Sequence, residues 1–570
     1  MSRFFARKKV REIAPDEIFL DSSNLPEYDA EQFEGRVERP VSGRAILAVG
    51  LFFFAMFSAF SWRVYALQVS DGQKYADISK NNTIDSELVF ATRGMIYDVT
   101  KRELAWSEMP LAIEATSTAT TTTYALRKYT ALPGLSHILG WVRYPKKDKS
   151  GTWWREDYVG MSGVELSYDS LLSGENGSRM IETDARGRVQ RSNIVSPPEN
   201  GRDVRLSIDA DVQSKLYTVL SEHARKQGFV GGASAIMNVE TGELLALTSF
   251  PEYDNQAFTD GDMNRVAAAN TDDRIPLLNR AISGLYAPGS IVKPLFAAAA
   301  LHEKVISPDK VIVSTGAITI PNPYDPEKPT VFKDWTVHGP VDMRTAIAVS
   351  SDEYFYTIGG GYGAQKGLGI ERLDNYARMF GLAATSGIAL FGEEDGNIPT
   401  PEWKEKVFGA DDPWRIGNTY HTAIGQYGFQ VTPLQALRFT AALANGGKML
   451  IPHLTASSTP EYTQLPFTNE ELEIVKDGMR LAVTSSRTDA TVKSLYIAGI
   501  QIAGKSGTAQ IGTHNQYMNS WVVGFWPAEN PRFAFATVLE KAKAGTLSGA
   551  APGMVPFFTW LVEHHPEYLR

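Results

Sequence analysis

The chain has 570 residues, too many for one ordinary hydrophobic core, so two or three domains are expected. Its 43% hydrophobic and 21% charged residues are ordinary globular composition, and a net charge of -9 without a basic patch interleaved with aromatics argues against nucleic acid as a partner. The absence of cysteine excludes disulfides, thiol catalysis and cysteine-ligated metal.

Residues 1–44 are polar and read as a flexible tail. Residues 45–62 (AILAVGLFFFAMFSAFSW) follow without a charge, enough for roughly 27 Å of helix. The competing reading is a buried core helix. Because the run is apolar on every face, a membrane span over residues 45–66 is preferred. It begins far into the chain and no convincing small-x-small site follows, which argues against a cleaved signal peptide. Arg36, Arg39 and Arg44 precede the run, with Arg3, Arg7, Lys8, Lys9 and Arg11 upstream. The positive-inside rule therefore predicts a cytoplasmic N-terminus and everything after about residue 66 outside.

Leu67 to Tyr75 begins a mixed polar region. Arg93 to Asp98 alternates like a short strand ending in an Asp turn. The Thr-rich stretch Thr116 to Thr123 is a strand or a linker. Gly160 to Glu165 reads as a loop opening a helix through Tyr168 and Leu172. Gly174 to Gly177 is a turn, Met180 to Val189 a hairpin and Ser196 to Gly201 a linker. Val204 to Asp209 is a predicted strand and Asp211 to His223 an amphipathic helix. Gly232 to Val239 and Glu243 to Phe250 form a strand pair around the turn Glu240-Thr241-Gly242. A helix is predicted from Ser290 to Leu301, with shorter ones over Val341 to Ala348 and Glu353 to Tyr356. Strands follow over Gly499 to Gln510, Ser520 to Trp526 and Arg532 to Leu539, and a helix over Phe557 to His564 closes the chain. Strands at both ends with helices between them predict an antiparallel sheet covered by helices, an α+β arrangement.

Ser290 and Lys293 stand in the spacing S-x-x-K. A serine hydroxyl is a poor nucleophile at neutral pH. A lysine one turn later lies on the same face and can take its proton if its own pKa is depressed. Small apolar neighbours (Ile291, Val292, Leu295, Ala297) predict burial, which lowers a lysine pKa, and Lys505 nearby would lower it further. The bland alternative is a helix-start serine with a snorkelling lysine.

Lys505-Ser506-Gly507-Thr508 falls on the strand from Gly499. Gly507 would let a ligand pass close to the backbone, the N–H groups of Thr508 and Ser290 would donate to a developing oxyanion, and Lys505 would meet a substrate carboxylate. Gly499 to Ser506 also fits the phosphate loop G-x-x-x-x-G-K-[ST]. That motif needs a helix directly afterwards, and Gly507 to Gly512 reads as extended. Ser350-Ser351-Asp352 offers a hydroxyl for proton transfer, or simply an N-cap serine pair. No histidines show H-E-x-x-H spacing. His338, close in sequence to Asp334 and Asp342, is a metal candidate on proximity alone.

In this order, S-x-x-K, S-x-[ND] and K-[ST]-G form the signature of penicillin-binding and serine β-lactamase chemistry. From Leu67 onward the chain resembles the class B penicillin-binding proteins. Further matches are Arg93-Gly94 with Asp98, Gly163-Val164-Glu165, Asp184 to Gly187, Pro251 to Asp254, Asn279-Arg280-Ala281 and Ala423 to Gln426. Phe332 to Trp335 with His338-Gly339, and Asn397 to Lys404, look most like the elongation subgroup, penicillin-binding protein 2.

The resemblance implies a multidomain α+β protein. A cytoplasmic tail (1–44) and a transmembrane helix (45–66) lead to a strand-rich pedestal of the dimerisation type (67–202) and a transpeptidase domain (203–570). It implies that Ser290 attacks the D-Ala-D-Ala carbonyl of a peptidoglycan stem peptide, lipid-linked or on nascent glycan. Lys293 would be the general base, Ser350 would assist proton transfer, and Lys505 and Thr508 would hold the terminal carboxylate and backbone beside Ser351, Ser506 and Gly507. An amine from a neighbouring stem would then take the acyl group. β-Lactams would acylate Ser290, and no cofactor is implied. The implied partners are a SEDS-type glycosyltransferase and other elongation proteins. The implied place is the bacterial cytoplasmic (inner) membrane, crossed once, with the catalytic domain extracytoplasmic or periplasmic.

Two departures stand out. Asp352 occupies the position where the general pattern has Asn, and an ionised carboxylate has no amide proton to donate. The stretch from Asp98 to His137 looks shorter than in the family, trimming the head of the pedestal. Two other functions compete. A D,D-carboxypeptidase or β-lactamase, with water as acceptor, is disfavoured by pedestal and anchor. A non-catalytic penicillin-binding scaffold or sensor is disfavoured because the serine and both lysines are present.

Overall fold

A computed structural model describes residues 42–81, 84–110, 123–183, 189–322, 325, 327–455 and 459–569. The basic residues from Arg3 to Arg39, the Thr-rich stretch apart from Thr123, and Asp184 to Arg188 lie outside the described residues. The chain forms two compact units, Met1–Asp85 with Glu182–Arg191, and Ser86–Ile181 with Ser192–Arg570.

In the first unit, helix α1 (Gly43–Tyr65) is capped by Ser42, whose hydroxyl accepts from the Ala45 amide. A π-helical turn, Ala66–Ser70, continues it. None of α1 is buried, as expected for an all-apolar helix outside any protein core. Among the described residues this is the one helix long and apolar enough to cross a membrane. Helix α2 (Gly72–Asn81) lies within the mixed polar region that begins at Leu67, where no element was predicted. Gln73, Lys74, Ala76 and Lys80 are good helix formers, and propensity prevails where apolar periodicity is weak.

The second unit opens with a four-stranded sheet. Its strands are β1 (Ile96–Tyr97), β2 (Glu103–Glu108), β3 (Leu126–Tyr129) and β4 (Val204–Arg205), in the order β4-β1-β2-β3. The predicted Asp turn is present: Asp98 Oδ1 accepts from the amides of Thr100 and Arg102, each at 2.8 Å. The Arg93 and Glu165 motifs meet in one buried tie. Glu165 takes Arg93 Nε at 2.6 Å and Arg127 Nε at 2.7 Å, all three side chains being inaccessible. Burial pushes the Glu165 carboxyl up, but the two guanidiniums hold it below its usual range.

The predicted linker at Ser196 to Gly201 is largely exposed but tied down by main-chain hydrogen bonds. Gly201 N–H donates to Thr92 O at 2.9 Å and Glu199 bridges Glu175. The expected division at 202/203 runs directly into β4, which pairs in parallel with β1.

The rest of the unit is built on a five-stranded antiparallel sheet. In chain order come helix α3 (Ala210–Gln227) and strands β5 (Gly231–Asn238) and β6 (Leu244–Phe250). Helices α4 (Lys293–His302), α5 (Met343–Val349), α6 (Asp352–Gly360) and α7 (Pro433–Ala444) follow. Strands β7 (Ala503–Ile511), β8 (Tyr517–Trp526) and β9 (Phe533–Lys543) and helix α8 (Ala550–His564) end the chain. The sheet order is β6-β5-β9-β8-β7.

Alternate residues of each strand enter different cores. Ile236, Val522 and Phe535 pack with Leu216 and Leu220 of α3 and Phe557 and Phe558 of α8. Ala235, Val523 and Ala536 pack with residues of α4 and α7. Both faces are therefore covered, which explains why these strands read as continuous apolar runs. Strand β7 is the sheet's edge, and its outer side is where the motifs gather.

Candidate active site

The chain enters α4 through a 3-10 turn, Gly289–Val292, which carries Ser290, and Lys293 is the first residue of the helix proper. Helix α5 stops at Val349 because Ser350 adopts the left-handed conformation, φ 59°. Ser351 then caps α6, its hydroxyl accepting from the Tyr354 amide at 3.2 Å. The cap reading is thus right for Ser351, while the αL kink turns Ser350 inward. A cleft of about 1170 Å³ is lined by Ser290, Ser350, Asp352, Ser506, Gly507 and Thr508 among others.

Lys293 and Lys505 lie beneath that floor, fully inaccessible. Lys293 Nζ donates to Asp352 Oδ1 at 2.6 Å, to Ser350 O at 2.7 Å and to Ser350 Oγ at 3.3 Å. Lys505 Nζ donates to Ser350 Oγ at 2.8 Å and Ser506 O at 2.7 Å. The Ser350 hydroxyl is therefore shared by both amines. No hydrogen bond among the described residues engages the Ser290 hydroxyl. Direct Ser290–Lys293 bonding, expected from the spacing, is not what the structure shows, because Asp352 holds the Lys293 amine.

The two lysine charges repel each other, as the sequence suggested. The structure depresses Lys505: burial and the Lys293 charge push it well below the usual lysine range, and Asp352 opposes only in part. Burial raises the Asp352 carboxyl; Lys293 lowers it and Asp334 raises it further. The Lys505 amine lies inaccessible beneath Ser350 and the Ser506 carbonyl.

Gly507 serves a purpose other than the expected one. A Cβ there would stand 2.8 Å from Pro288 O and 2.9 Å from Ile291 Cγ2. The turn carrying Ser290 itself fills the space where a ligand was expected to pass. Gly289, at φ 56°, would in the same way press a Cβ to 2.7 Å from Thr508 O. Nucleophile turn and β7 meet main chain to main chain. The phosphate-loop alternative fails on local structure: after Lys505-Ser506 the chain stays in β7 through Ile511, with no helix.

The metal candidates are corrected. Asp342 caps α5 through the Thr345 amide at 2.8 Å. His338 faces Asp489 through Nδ1 at 2.8 Å and Asp334 through Nε2 at 3.5 Å. Each imidazole nitrogen has its own carboxylate, so the three groups run in a line and share no centre. Among the described residues no cluster suited to a metal exists. Asp334 Oδ2 accepts from Ser351 Oγ at 2.8 Å and the Glu353 amide at 2.9 Å, so this line ends on the start of α6. Burial pushes Asp334 up, but the adjacent His338 imidazole and the Glu353 amide bring it to about 2. Burial lowers His338, yet Asp334 and Asp489 together raise it above its ordinary value.

Sequence reasoning missed Asp489, Arg487 and His421. Asp489 lies 151 residues from His338 and carries no motif. His421 lines the cleft, its pKa lowered by burial and partly restored by Asp352. It sat unremarked beside the Ala423 to Gln426 match.

Comparison with known proteins places these features in company. The penicillin binding protein transpeptidase domain matches residues 232–556, and the penicillin-binding protein dimerisation domain matches residues 113–206. The peptidoglycan D,D-transpeptidase MrdA of Haemophilus influenzae is 32% identical over 468 residues, covering 75% of this chain and 68% of the relative. MrdA of Escherichia coli is 31% identical over 462 residues, covering 75% and 70%. Pseudomonas aeruginosa PBP2 in complex with WCK 5153 superposes with a TM-score of 0.67 at 29% identity, covering 85% of this chain and all of that one (100%). The Helicobacter pylori complex of PBP2 with MreC gives 0.68 at 25%, covering 85% and 99%.

Proposed function

The chain belongs to the penicillin-binding transpeptidases, class B and of the elongation (PBP2) kind, and from that membership we propose how its residues cross-link peptidoglycan. The Ser290 oxygen attacks the carbonyl between the two terminal D-alanines of a stem peptide. The C–N bond breaks, D-alanine leaves with a proton on its nitrogen, and an ester joins the stem to Ser290. The amine of a second stem attacks that ester, the C–O bond breaks, an amide forms, and the proton returns to Ser290. Energy stored in the first amide is carried by the ester, so no cofactor enters either step.

The observation that carries this reading is the Ser350 hydroxyl held between two buried amines at the floor of the Ser290 cleft. Lys293 donates to three oxygens, which uses the donor capacity of an ammonium. The Ser290 proton passes by way of Ser350 into this pair of buried amines, and Asp352, 2.6 Å from Lys293, balances the charge that they hold. The N–H groups of Ser290 and Thr508 receive the oxyanion. Thr508 and Ser506 hold the substrate at the surface, and Ser351 and Asp334 keep the Ser350 kink in place.

The proposal extends to topology and partners. Residues 67–202 form the pedestal and 203–570 the catalytic domain, in keeping with the two family matches. The α1 helix anchors the chain once in the cytoplasmic membrane with the N-terminus inside. A SEDS-type glycosyltransferase and elongation proteins of the kind that MreC represents in Helicobacter pylori are its partners. A fluorescent penicillin is expected to label the wild-type chain and not Ser290→Ala. Equal labelling of both would remove the assignment.

A further inference from the structure

Residues 141–155 contradict the expectation that no basic patch is interleaved with aromatics. They hold five cations (Arg143, Lys146, Lys147, Lys149, Arg155) against one acid in a chain of net charge -9. Lys146–Lys147 pairs antiparallel with Trp153–Arg155. Arg143 lies 5.7 Å over Trp141, Lys147 4.6 Å over Trp153 and Arg155 4.7 Å over Trp154. Trp154 is 60% exposed.

The charge of this hairpin is not neutralised from within. None of the five cations forms an ion pair among the described residues. The one acid, Asp148, closes its own turn, accepting from the amides of Ser150 at 2.8 Å and Thr152 at 3.0 Å. Asp157 just beyond is engaged by Asn176 at 2.7 Å, which leaves exposed Glu156 as the nearest free acid in sequence. Arg155 Nε is buried without a hydrogen-bond partner. The neighbouring Arg143 charge adds to burial in lowering the Arg155 pKa.

Unpaired cations alone would suit any anion. Cations stacked on aromatic plates suit a polymer that offers both flat C–H faces and carboxylates. A strand of sugar rings bearing peptide carboxylates has both; a lipid headgroup offers charge without the ring faces. The hairpin belongs to the same compact unit as the catalytic cleft, and none of its residues lines that cleft. We propose that the 141–155 hairpin is a second binding surface for peptidoglycan, gripping the glycan strand outside the catalytic cleft. The identity of the polymer rests on the transpeptidase reading above.

The test uses the full-length chain in detergent with Ser290 acylated by penicillin, so that the catalytic cleft is blocked. Binding to purified, insoluble cell-wall sacculi is measured by co-sedimentation over a salt series. Wild type is expected to pellet, with binding that falls as salt rises. Trp154→Ala and the double change Lys146→Glu with Lys147→Glu are expected to bind about tenfold more weakly, the loss of one ring platform or of paired charges. Equal penicillin labelling of variants and wild type shows that they are folded. Undiminished pelleting of either folded variant overturns the proposal, as does displacement of sacculi by micelles doped with anionic lipid but not by soluble glycan fragments. If penicillin labels no form of the chain, the transpeptidase reading fails separately, and the sacculus result still stands or falls on the hairpin.

Discussion

The chemistry of the site turns on two amines that share one hydroxyl. Replacing Lys505 by methionine keeps the stem of the side chain and removes a buried amine from beside Lys293. Lys505→Met is therefore expected to keep or raise the melting temperature while slowing penicillin acylation by about a hundredfold, the scale of a lost proton acceptor. Thermal unfolding and acylation rates measured on one preparation check both halves. The linked Asp489–His338–Asp334 line makes a pH prediction. Because His338 is raised in the folded state, the stability it contributes is complete below its unfolded value and is lost as pH rises through the folded one. Asp334 and Asp489, both lowered to about 2, act oppositely: their contribution is present above the ordinary carboxylate range and lost as pH falls toward 2. Melting temperature is expected to decline in wild type as pH rises above the ordinary histidine range. His338→Gln should flatten that decline, and a slope unchanged in the variant would locate it elsewhere.

Elements bring these residues together through their ends. A left-handed serine stops α5, a capping serine starts α6, and Ser350 and Asp352 on either side of that cap reach the lysines because the helix cannot continue. Strand β7 closes the arrangement from the other side. Gly507→Ala would force a Cβ against Pro288 O and Ile291. It is expected to cost about 1–3 kcal/mol of stability, the range for overpacking, and to slow acylation by displacing Ser290 from Thr508. Calorimetry and labelling rate check it; an alanine variant acylated as fast as wild type would mean that the turn has room to move. Much of this layer was legible. The β5–β6 pair was read nearly to the residue because its Glu-Thr-Gly turn is local chemistry, and β7 to β9 were read because their apolar runs are bounded by turns. Helix α2 was missed because its signal is propensity rather than periodicity. The 141–155 hairpin was missed because its cations were weighed against the whole chain's negative charge instead of within their own segment.

At the scale of the whole molecule, sequence order misleads where distant segments pair. Ser196 to Gly201, rich in proline and glycine, reads as a boundary, and main-chain hydrogen bonds tie it down while β4 beyond it pairs with β1 over a hundred residues earlier. A piece beginning at residue 203 is expected to melt at a lower temperature than one beginning at residue 86, since β4 loses its partner and Asp211 loses Arg102. Equal melting temperatures would show that the catalytic part stands alone. The three motifs gave the site's membership from sequence, but not its ion pairing, because that depends on Asp352 lying 2.6 Å from Lys293. One consequence reaches beyond catalysis. Gly289 and Gly507 bring the nucleophile's turn and the edge strand together through main-chain atoms. A drug that grips the Thr508 main chain is held by atoms that no codon change removes, and substitutions at the two glycines injure the enzyme itself. Resistance by point mutation is thereby driven to the rim of the cleft, to side chains such as Tyr427 or Leu547, where contact can be lost while the machinery survives.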